Sequence, residues 1–199
     1  MSEAYFTAVS YVEHAITLNK SKFIAFFFPC TSESGFKEQL QTIKSKHPKA
    51  THHCYAYLFS NPTLERANDD GEPSGSAGFP ILGQLKSHRL INVACVVVRY
   101  YGGTKLGVSG LIAAYKKVSL ECITLGEVIP FFESISIRLT GDFTSLMQCL
   151  SFCKQQGWVT TLSAFDGEDN IVLHVNKSDK KIVEEKLSVF SNITAYVLQ

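Results

Sequence analysis

The chain has 199 residues, of which 45% are hydrophobic and 19% charged, and its 19 Lys and Arg against 18 Asp and Glu give a formal net charge of +1. This composition indicates a folded globular protein and excludes a disordered chain, which needs lower hydrophobicity and a larger net charge. The length allows one large or two small domains. A near-neutral chain has no global basic excess to attract a polyanion, so any nucleic-acid binding must use a local patch.

The first part of the chain predicts alternating strands and helices. Predicted strands cover residues 15–18, 22–28, 51–60 and 92–101, and predicted helices cover 34–46, 79–88 and 108–125. An apolar stripe runs along the last helix at Leu111, Tyr115, Val118 and Cys122, with Lys116 and Lys117 facing away. The segment 61–78 is polar and rich in glycine, and we expect a loop there.

A second pattern begins after Pro130, and it predicts the order β-α-β-β-α-β. Strands are expected at 133–140, 158–165, 170–176 and 192–198, and helices from Asp142 to Gly157 and from Ser178 to Phe190, with a hairpin turn at 166–169 (DGED). We therefore divide the chain into domains at 1–130 and 131–199. The first holds 13 Lys and Arg against 10 Asp and Glu, and the second 6 against 8, an asymmetry too weak to identify a partner.

The six cysteines are scattered through apolar or helical segments, so we expect them to be reduced. The N-terminal residues lack the basic region and apolar run of a signal peptide, and no apolar run approaches the roughly 20 residues that cross a bilayer. The expected location is the cytoplasm, without membrane contact.

Residues 69–78 (DDGEPSGSAG) combine three acids, two serines and three glycines, and Asp69, Asp70, Glu72 and Ser74 are its candidate site residues. Small residues let a backbone approach a ligand closely, and successive amides can bind an anion. The clustered acids could instead hold a hard cation or act as a general base. The remaining alternative is a solvated loop whose polar side chains make turn hydrogen bonds.

Residues 99–107 (RYYGGTKLG) connect the strand 92–101 to the helix 108–125. A glycine turn before a helix directs the first helix amides towards a phosphate or carboxylate. Arg99 and Lys105 add positive charge, and Tyr100 or Tyr101 offers a ring on which a base can stack. The segment is not a Walker A loop, because Lys105 precedes the last glycine. An anion site and a tight structural turn both stay open.

His52, His53 and Cys54 lie next to one another on a predicted strand, so that His52 and Cys54 share one face. A zinc site or a Cys-His nucleophile would need further groups, and the sequence offers no matching C-x-x-C or H-x-x-x-H. We predict neither a metal nor a cofactor.

Three motifs together resemble the YigZ/Impact family: HHCYAY at 52–57, NDDGEPSGSAG at 68–78 with Pro80 to Leu82, and VVVRYYGGTKLGVSGLIAAY at 96–115. The resemblance covers residues from about 20 to 125. It implies an α+β protein with an N-terminal domain of the ribosomal-protein-S5 domain 2-like fold and a ferredoxin-like C-terminal domain, similar to domains IV and V of elongation factor G. These folds point towards translation.

The first hypothesis is a non-catalytic module that binds RNA, the ribosome or a translation-related protein and regulates translation. Its candidate contacts are Arg99, Tyr100, Tyr101, Gly102, Gly103, Lys105, Lys116 and Lys117. One difficulty is that three carboxylates beside an RNA site would repel phosphate.

Two other hypotheses use the acids differently. In an enzyme, the acidic loop supplies a base or metal ligands beside a phosphate held by the turn from Gly102 to Gly107. This reading is less favoured, because no nucleophile–base pair or metal set is complete. In the third, Asp70 or Glu72 pairs with Arg99, which makes the loop and the turn one rigid surface for a protein partner.

Overall fold

The computed structural model describes residues 5–60, 63–165 and 168–198. The chain divides into two compact units, Met1–Phe131 and Phe132–Gln199, here called unit 1 and unit 2. Both mix helices and strands, so the protein is of the α+β class. Pro130, where the sequence places the boundary, lies in the last strand of unit 1.

Unit 1 contains seven strands and three helices within the described ranges. They are β1 Tyr5–Ala8, β2 Val12–Leu18, β3 Ser21–Pro29, α1 Glu33–Lys46, β4 His52–Ser60, β5 Thr63–Asn68, α2 Gly78–Ser87, β6 Val93–Tyr100, α3 Gly107–Leu125 and β7 Val128–Phe131. Five strands form an antiparallel sheet in the order β2-β3-β6-β4-β5, and β1 pairs with β7.

Helices cover both faces of the five-stranded sheet. Helices α2 and α3 pack on one face, and α1 packs on the other through Phe36 and Ile43. Successive residues of β3 alternate between the two cores, with Phe23, Ala25 and Phe27 on the α2–α3 side and Ile24, Phe26 and Phe28 on the α1 side. Residues 93–98 of β6 are fully buried, as expected for a central strand covered on both sides.

The predicted helices of unit 1 are confirmed to within a residue or two at their ends. Ser32 begins α1, because its hydroxyl accepts a hydrogen bond from the Gly35 amide at 3.2 Å. The predicted apolar stripe of α3 is buried along its whole length.

Three strands of unit 1 were not predicted. The expectation of a loop over 61–78 is wrong for its first part, because β5 occupies Thr63–Asn68 at the edge of the sheet. Strands β1 and β7 pair across the two ends of unit 1, with Tyr5 opposite Phe131. Such pairing leaves no local signal, because each strand is only four residues long.

Unit 2 has the predicted order β-α-β-β-α-β. Its elements are β8 Ser134–Gly141, α4 Phe143–Gln155, β9 Val159–Phe165, β10 Glu168–Asn176, a 3-10 turn Lys177–Asp179, α5 Lys180–Leu187 and β11 Ile193–Leu198. The strands form an antiparallel sheet in the order β11-β8-β10-β9. Residues 166 and 167 of the predicted hairpin turn lie outside the described residues.

The predicted caps of unit 2 have mixed outcomes. Asp142 caps α4 by accepting a hydrogen bond from the Ser145 amide at 3.0 Å, and Gly157 follows the helix with φ of +73°. The prediction that Ser178 caps a helix through Phe190 is wrong: Ser178 lies in the 3-10 turn and α5 ends at Leu187.

All six cysteines are free and buried. Among the described helices, none combines the length and apolar character needed to cross a bilayer.

Candidate functional site

Four loops of unit 1 meet at one end of the five-stranded sheet, because β6 runs antiparallel to both β3 and β4. They are the β2–β3 turn at 19–20, the α1–β4 loop at 47–51, the acidic loop at 69–77 and the β6–α3 turn at 101–106. We call this region the loop end. Hydrogen bonds join its parts: the Thr51 amide donates to the Arg99 carbonyl at 2.8 Å, and the Tyr101 amide donates to Thr51 Oγ1 at 3.2 Å.

The glycines of the β6–α3 turn are required by the backbone. A Cβ atom on Gly102 would lie 2.0 Å from the Lys20 carbonyl oxygen, so only glycine lets these two chain segments approach. Gly103 has a φ of +84°, in the left-handed region that side chains disfavour. The turn therefore holds the β2–β3 turn against the start of α3, and its glycine content does not by itself indicate a ligand.

A cavity of ≈500 Å³ opens at the loop end. It is lined by Thr51, His52, Glu72, Pro73, Arg99, Tyr101, Lys105, Leu106, Gly107, Val108 and Leu111. The acidic loop and the β6–α3 turn thus both line the same cavity. Apolar side chains from the start of α3 form part of its lining, together with polar groups from β4, β6 and the acidic loop.

A buried ion pair forms part of the cavity lining. Arg99 is 5% exposed and Glu72 is 8% exposed, and Arg99 Nη1 donates to Glu72 Oε1 at 2.7 Å. The Tyr115 hydroxyl donates to the same oxygen at 2.8 Å. Of the two acids considered as partners of Arg99, Glu72 is the one that pairs with it. The Arg99 charge is therefore balanced within the chain, which places Arg99 in the scaffold of the cavity.

Two aromatic rings flank the Arg99 guanidinium. Its central carbon lies 5.5 Å from the ring centroids of both Phe23 and Tyr101. These contacts stabilise a buried cation in addition to the carboxylate. Arg99 Nε has no hydrogen-bond partner among the described residues.

His52 presents one ring nitrogen towards Glu72. Its Nδ1 atom lies 2.8 Å from the Asp70 carbonyl oxygen, and because a carbonyl can only accept, Nδ1 carries the proton. In the neutral ring Nε2 is then an acceptor, and it lies 3.9 Å from Glu72 Oε2.

Burial keeps two neighbouring groups protonated, the Tyr115 hydroxyl and the Cys54 thiol. Desolvation raises the pKa of the Tyr115 hydroxyl, so the hydroxyl stays protonated and donates to Glu72. Desolvation likewise raises the pKa of the Cys54 thiol, which donates to the Asp69 carbonyl at 3.0 Å. A buried protonated thiol is a poor nucleophile, so the arrangement does not favour thiol catalysis. Burial also lowers the pKa of His53, on the other face of β4.

Asp69 and Asp70 accept hydrogen bonds from backbone amides. The Asp69 carboxylate accepts hydrogen bonds from the amides of Gly75, Ala77 and Gly78 at 2.9, 3.0 and 2.8 Å. Asp70 accepts one from the His53 amide at 2.6 Å. Ser74 is exposed. In the described part of the chain, no group of three or more His, Cys, Asp or Glu side chains is placed to hold a metal ion.

Lysines of the loop end point outward, in contrast to the acids. Lys20, Lys49 and Lys105 of these loops are exposed, and so are Lys22 and Lys46 at the adjoining ends of β3 and α1. Within the described ranges, none of the five forms an ion pair. Glu72 is paired with Arg99, and the five lysines outnumber the remaining two acids, Asp69 and Asp70, so the net charge at this end of unit 1 is positive.

The remaining predicted site residues are separated by the structure. Tyr100 is half-buried against the α1 side of the sheet, where its hydroxyl lies 2.9 Å from His47 Nδ1, whereas Tyr101 is 46% exposed beside the cavity. Lys116 and Lys117 are exposed on α3 but do not line the cavity, and Lys117 Nζ lies 3.9 Å from Glu121. Of the two tyrosines, only Tyr101 is placed to stack on a ligand in the cavity.

The sequence did not point to some residues of the site. Tyr115 was predicted as a core residue, and its hydroxyl bond to Glu72 joins positions 43 apart in the chain. Leu106 and Val108 form walls of the cavity but carry no chemical signal in the sequence.

Comparisons with known proteins agree on one family. Residues 19–123 match the family described as the Impact N-terminal domain. The IMPACT family member YvyE of Bacillus subtilis is 48% identical over 118 residues, which are 59% of this chain and 54% of that relative, so the match spans about half the relative's length. An IMPACT family member of Haemophilus influenzae is 30% identical over 174 residues, covering 86% of this chain and 84% of that relative.

A solved structure, described as the crystal structure of an hypothetical protein, aligns with 100% of this chain and 99% of its own. Its TM-score is 0.72 at 23% identity, which shows a shared fold.

Proposed function

Because this chain belongs to the Impact family, we propose that it is a non-catalytic binding module that contacts RNA through the loop end of unit 1. The observation that carries the proposal is the opposite orientation of the two kinds of charge there. Five lysines are exposed, while the carboxylates of Asp69, Asp70 and Glu72 have hydrogen-bond partners inside the protein.

This arrangement reduces the electrostatic objection to RNA at an acidic loop, because one of its three carboxylates is paired with a cation. Repulsion of phosphate by a carboxylate falls when the carboxylate is paired, and Glu72 is paired with Arg99 at 2.7 Å. The unpaired lysines supply the attraction, because each phosphate that they neutralise releases condensed counterions. The chain needs no global basic excess for this, since the charge is local.

Tyr101 and the cavity favour single-stranded RNA. Tyr101 is 46% exposed next to Lys105, and unstacked bases bind to aromatic rings beside basic groups. Bases in a duplex are already stacked and cannot reach such a ring. We therefore propose that the chain binds loops and ends of structured RNA, including those of the ribosome.

We further propose that the chain acts in translation and in the cytoplasm. The element order of unit 1 supports a ribosomal-protein-S5 domain 2-like fold. The strand order β11-β8-β10-β9 supports a ferredoxin-like fold for unit 2. This pair of folds is similar to domains IV and V of elongation factor G, which supports the ribosome or a translation-related protein as partner by analogy only. Free, buried cysteines are consistent with a reducing compartment.

The phosphate-binding enzyme is the weaker alternative. It requires carboxylates of the acidic loop as a base or as metal ligands, and Asp69 already accepts three backbone hydrogen bonds. Glu72 is held by Arg99 and Tyr115. Asp69 would have to give up these bonds before it could act, and Arg99 stabilises the charged form of Glu72, which makes Glu72 a weak base.

The test is binding of a fluorescent single-stranded RNA to the full chain, followed by fluorescence anisotropy. We expect Lys105→Ala to weaken binding about fivefold, because it removes one phosphate contact. The matched control is Lys116→Ala, which removes an exposed lysine outside the loop end and is expected to leave the affinity unchanged. Equal losses in the two variants, or no binding by the wild type, would contradict the proposal.

A further inference from the structure

We propose that the cavity at the loop end binds one nucleotide whose base carries an exocyclic amino group, and that the cavity discriminates against uracil. The inference rests on the proposed RNA binding for the source of the nucleotide. It adds the chemical identity of the base and the groups that recognise it.

Two hydrogen-bond acceptors with no donor between them carry this inference. Glu72 Oε2 and His52 Nε2 both belong to residues that line the cavity, and they lie 3.9 Å apart. Among the described residues, no hydrogen bond is donated to either atom: Arg99 and Tyr115 both donate to Glu72 Oε1, and His52 donates through Nδ1, which leaves Nε2 of the neutral ring as an acceptor. A ligand group with two N–H donors would satisfy two neighbouring acceptors.

An amino group satisfies both acceptors at once. A nitrogen placed about 2.9 Å from each of them can direct one N–H to each. Adenine, cytosine and guanine carry such a group, whereas uracil has a carbonyl oxygen where cytosine has its amino nitrogen. Uracil would bring a third acceptor against the other two, and burial of an acceptor without a donor weakens binding.

The charge of the polar lining favours a neutral base over an ion. Arg99 balances Glu72, so an additional cation finds no net negative charge, and a phosphate would face Glu72 Oε2 directly. The phosphate of the nucleotide is instead expected near Lys105, which lines the same cavity. Helix α3 begins there at Gly107 without a side-chain cap, so its first amides are also available.

The size and the walls of the cavity fit a base. A volume of ≈500 Å³ lies within the range of about 300–1,000 Å³ typical of small-molecule sites. Leu106, Val108 and Leu111 provide apolar contact, and Tyr101 provides a ring for stacking. The base is thus surrounded by walls that recognise its faces and by acceptors that recognise its edge.

The experiment compares oligoadenylate, oligocytidylate and oligouridylate of equal length against the full chain by fluorescence anisotropy. We expect the adenine and cytosine oligomers to bind about tenfold more tightly than the uracil oligomer. His52→Leu removes one acceptor and should bring this ratio close to one. The control His88→Leu changes a histidine just beyond the far end of α2 and should keep the ratio.

A second variant and free mononucleotides separate the possible outcomes. Val108→Trp fills the cavity with a larger side chain and should also abolish the preference for adenine and cytosine over uracil. This variant tests the cavity independently if His52→Leu fails to fold. Equal affinity of the wild type for the three oligomers would overturn this inference and leave the proposed RNA binding standing. If no oligomer binds while AMP and CMP bind more tightly than UMP, the cavity assignment is supported and RNA as the source is overturned. If neither oligomers nor mononucleotides bind, both proposals are overturned.

Discussion

Arg99 lies in β6 just before the glycine-rich turn, and its charge stabilises the fold. Its guanidinium is bonded to Glu72 and flanked by the rings of Phe23 and Tyr101. The sequence leaves two alternatives for Arg99, pairing with Asp70 or Glu72 and contact with a ligand. Only side-chain positions separate them, because the two acids are adjacent to the same glycine and both follow β5.

The Arg99–Glu72 pair is predicted to be necessary for the stability of unit 1. Glu72→Ala leaves a guanidinium buried without its counter-charge, so we expect the free energy of unfolding to fall by about 3–5 kcal/mol. The measurement is urea unfolding followed by circular dichroism. Glu65→Ala is the matched control, because Glu65 pairs with Lys86 at 2.6 Å on the surface with both side chains about half exposed. Removal of that pair is expected to cost less than about 1 kcal/mol. Similar losses in the two variants would contradict the assignment of Arg99 to the scaffold.

At the scale of elements, α2 begins without a cap of its own. Ala77 precedes it and has no side chain that can accept a hydrogen bond. Asp69, eight residues earlier, fills this role by accepting the amides of Ala77 and Gly78. The acidic loop is therefore folded around the start of a helix, which explains one of its acids without any ligand.

Asp69→Ala is predicted to destabilise unit 1 by about 2 kcal/mol, since it leaves amides at the start of α2 without their acceptor. Ser74→Ala changes an exposed residue of the same loop and is expected to alter the free energy of unfolding by less than about 0.5 kcal/mol. Thermal and urea unfolding of the two variants provide the comparison. An Asp69→Ala protein as stable as Ser74→Ala would show that the cap contributes nothing.

The β6–α3 turn depends on a close approach of two backbones. Gly102→Ala would place a Cβ atom 2.0 Å from the Lys20 carbonyl oxygen, so we expect a loss of about 2 kcal/mol or more, or failure to fold. Gly83 offers the control, because a Cβ atom there meets nothing within 4 Å. Gly83→Ala should stabilise α2 by about 0.5–1 kcal/mol. Both values are measured by urea unfolding, and a tolerated Gly102→Ala would contradict the described approach.

The helices and strands that carry a clear hydrophobic pattern could be predicted from the sequence. The continuous apolar run of β6 and the helical spacing of α3 identify a buried strand and a helix directly. Strand β5, with the sequence TLERAN, is a polar edge strand, and its pairing with β4 stabilises it more than its own composition does. Ser178 does not cap α5 because it lies inside the 3-10 turn Lys177–Asp179, which places Asp179 directly before the helix.

At the scale of the whole molecule, a net charge of +1 conceals an uneven distribution. The three motifs identified the Impact family correctly, and they also located the segments that form the loop end. The sequence did not reveal which charges face outward, because that depends on partners far apart in the chain. Glu72 and Arg99 are 27 residues apart, and Glu72 and Tyr115 are 43 apart. The lysines in or next to the loop end therefore give a nearly neutral chain one positive end.

The salt dependence of RNA binding tests this account most directly. For single strands the slope of log affinity against log salt concentration is about −0.7 for each phosphate neutralised. We predict a clearly negative slope for the wild-type chain and a slope that is smaller in magnitude by about 1.4 for the double variant Lys20→Ala/Lys105→Ala, which loses two contacts at the loop end. The double variant Lys116→Ala/Lys117→Ala should keep the wild-type slope. If it is the Lys116/Lys117 variant that loses slope, or if the wild-type affinity does not change with salt, the loop end is not the RNA-binding surface.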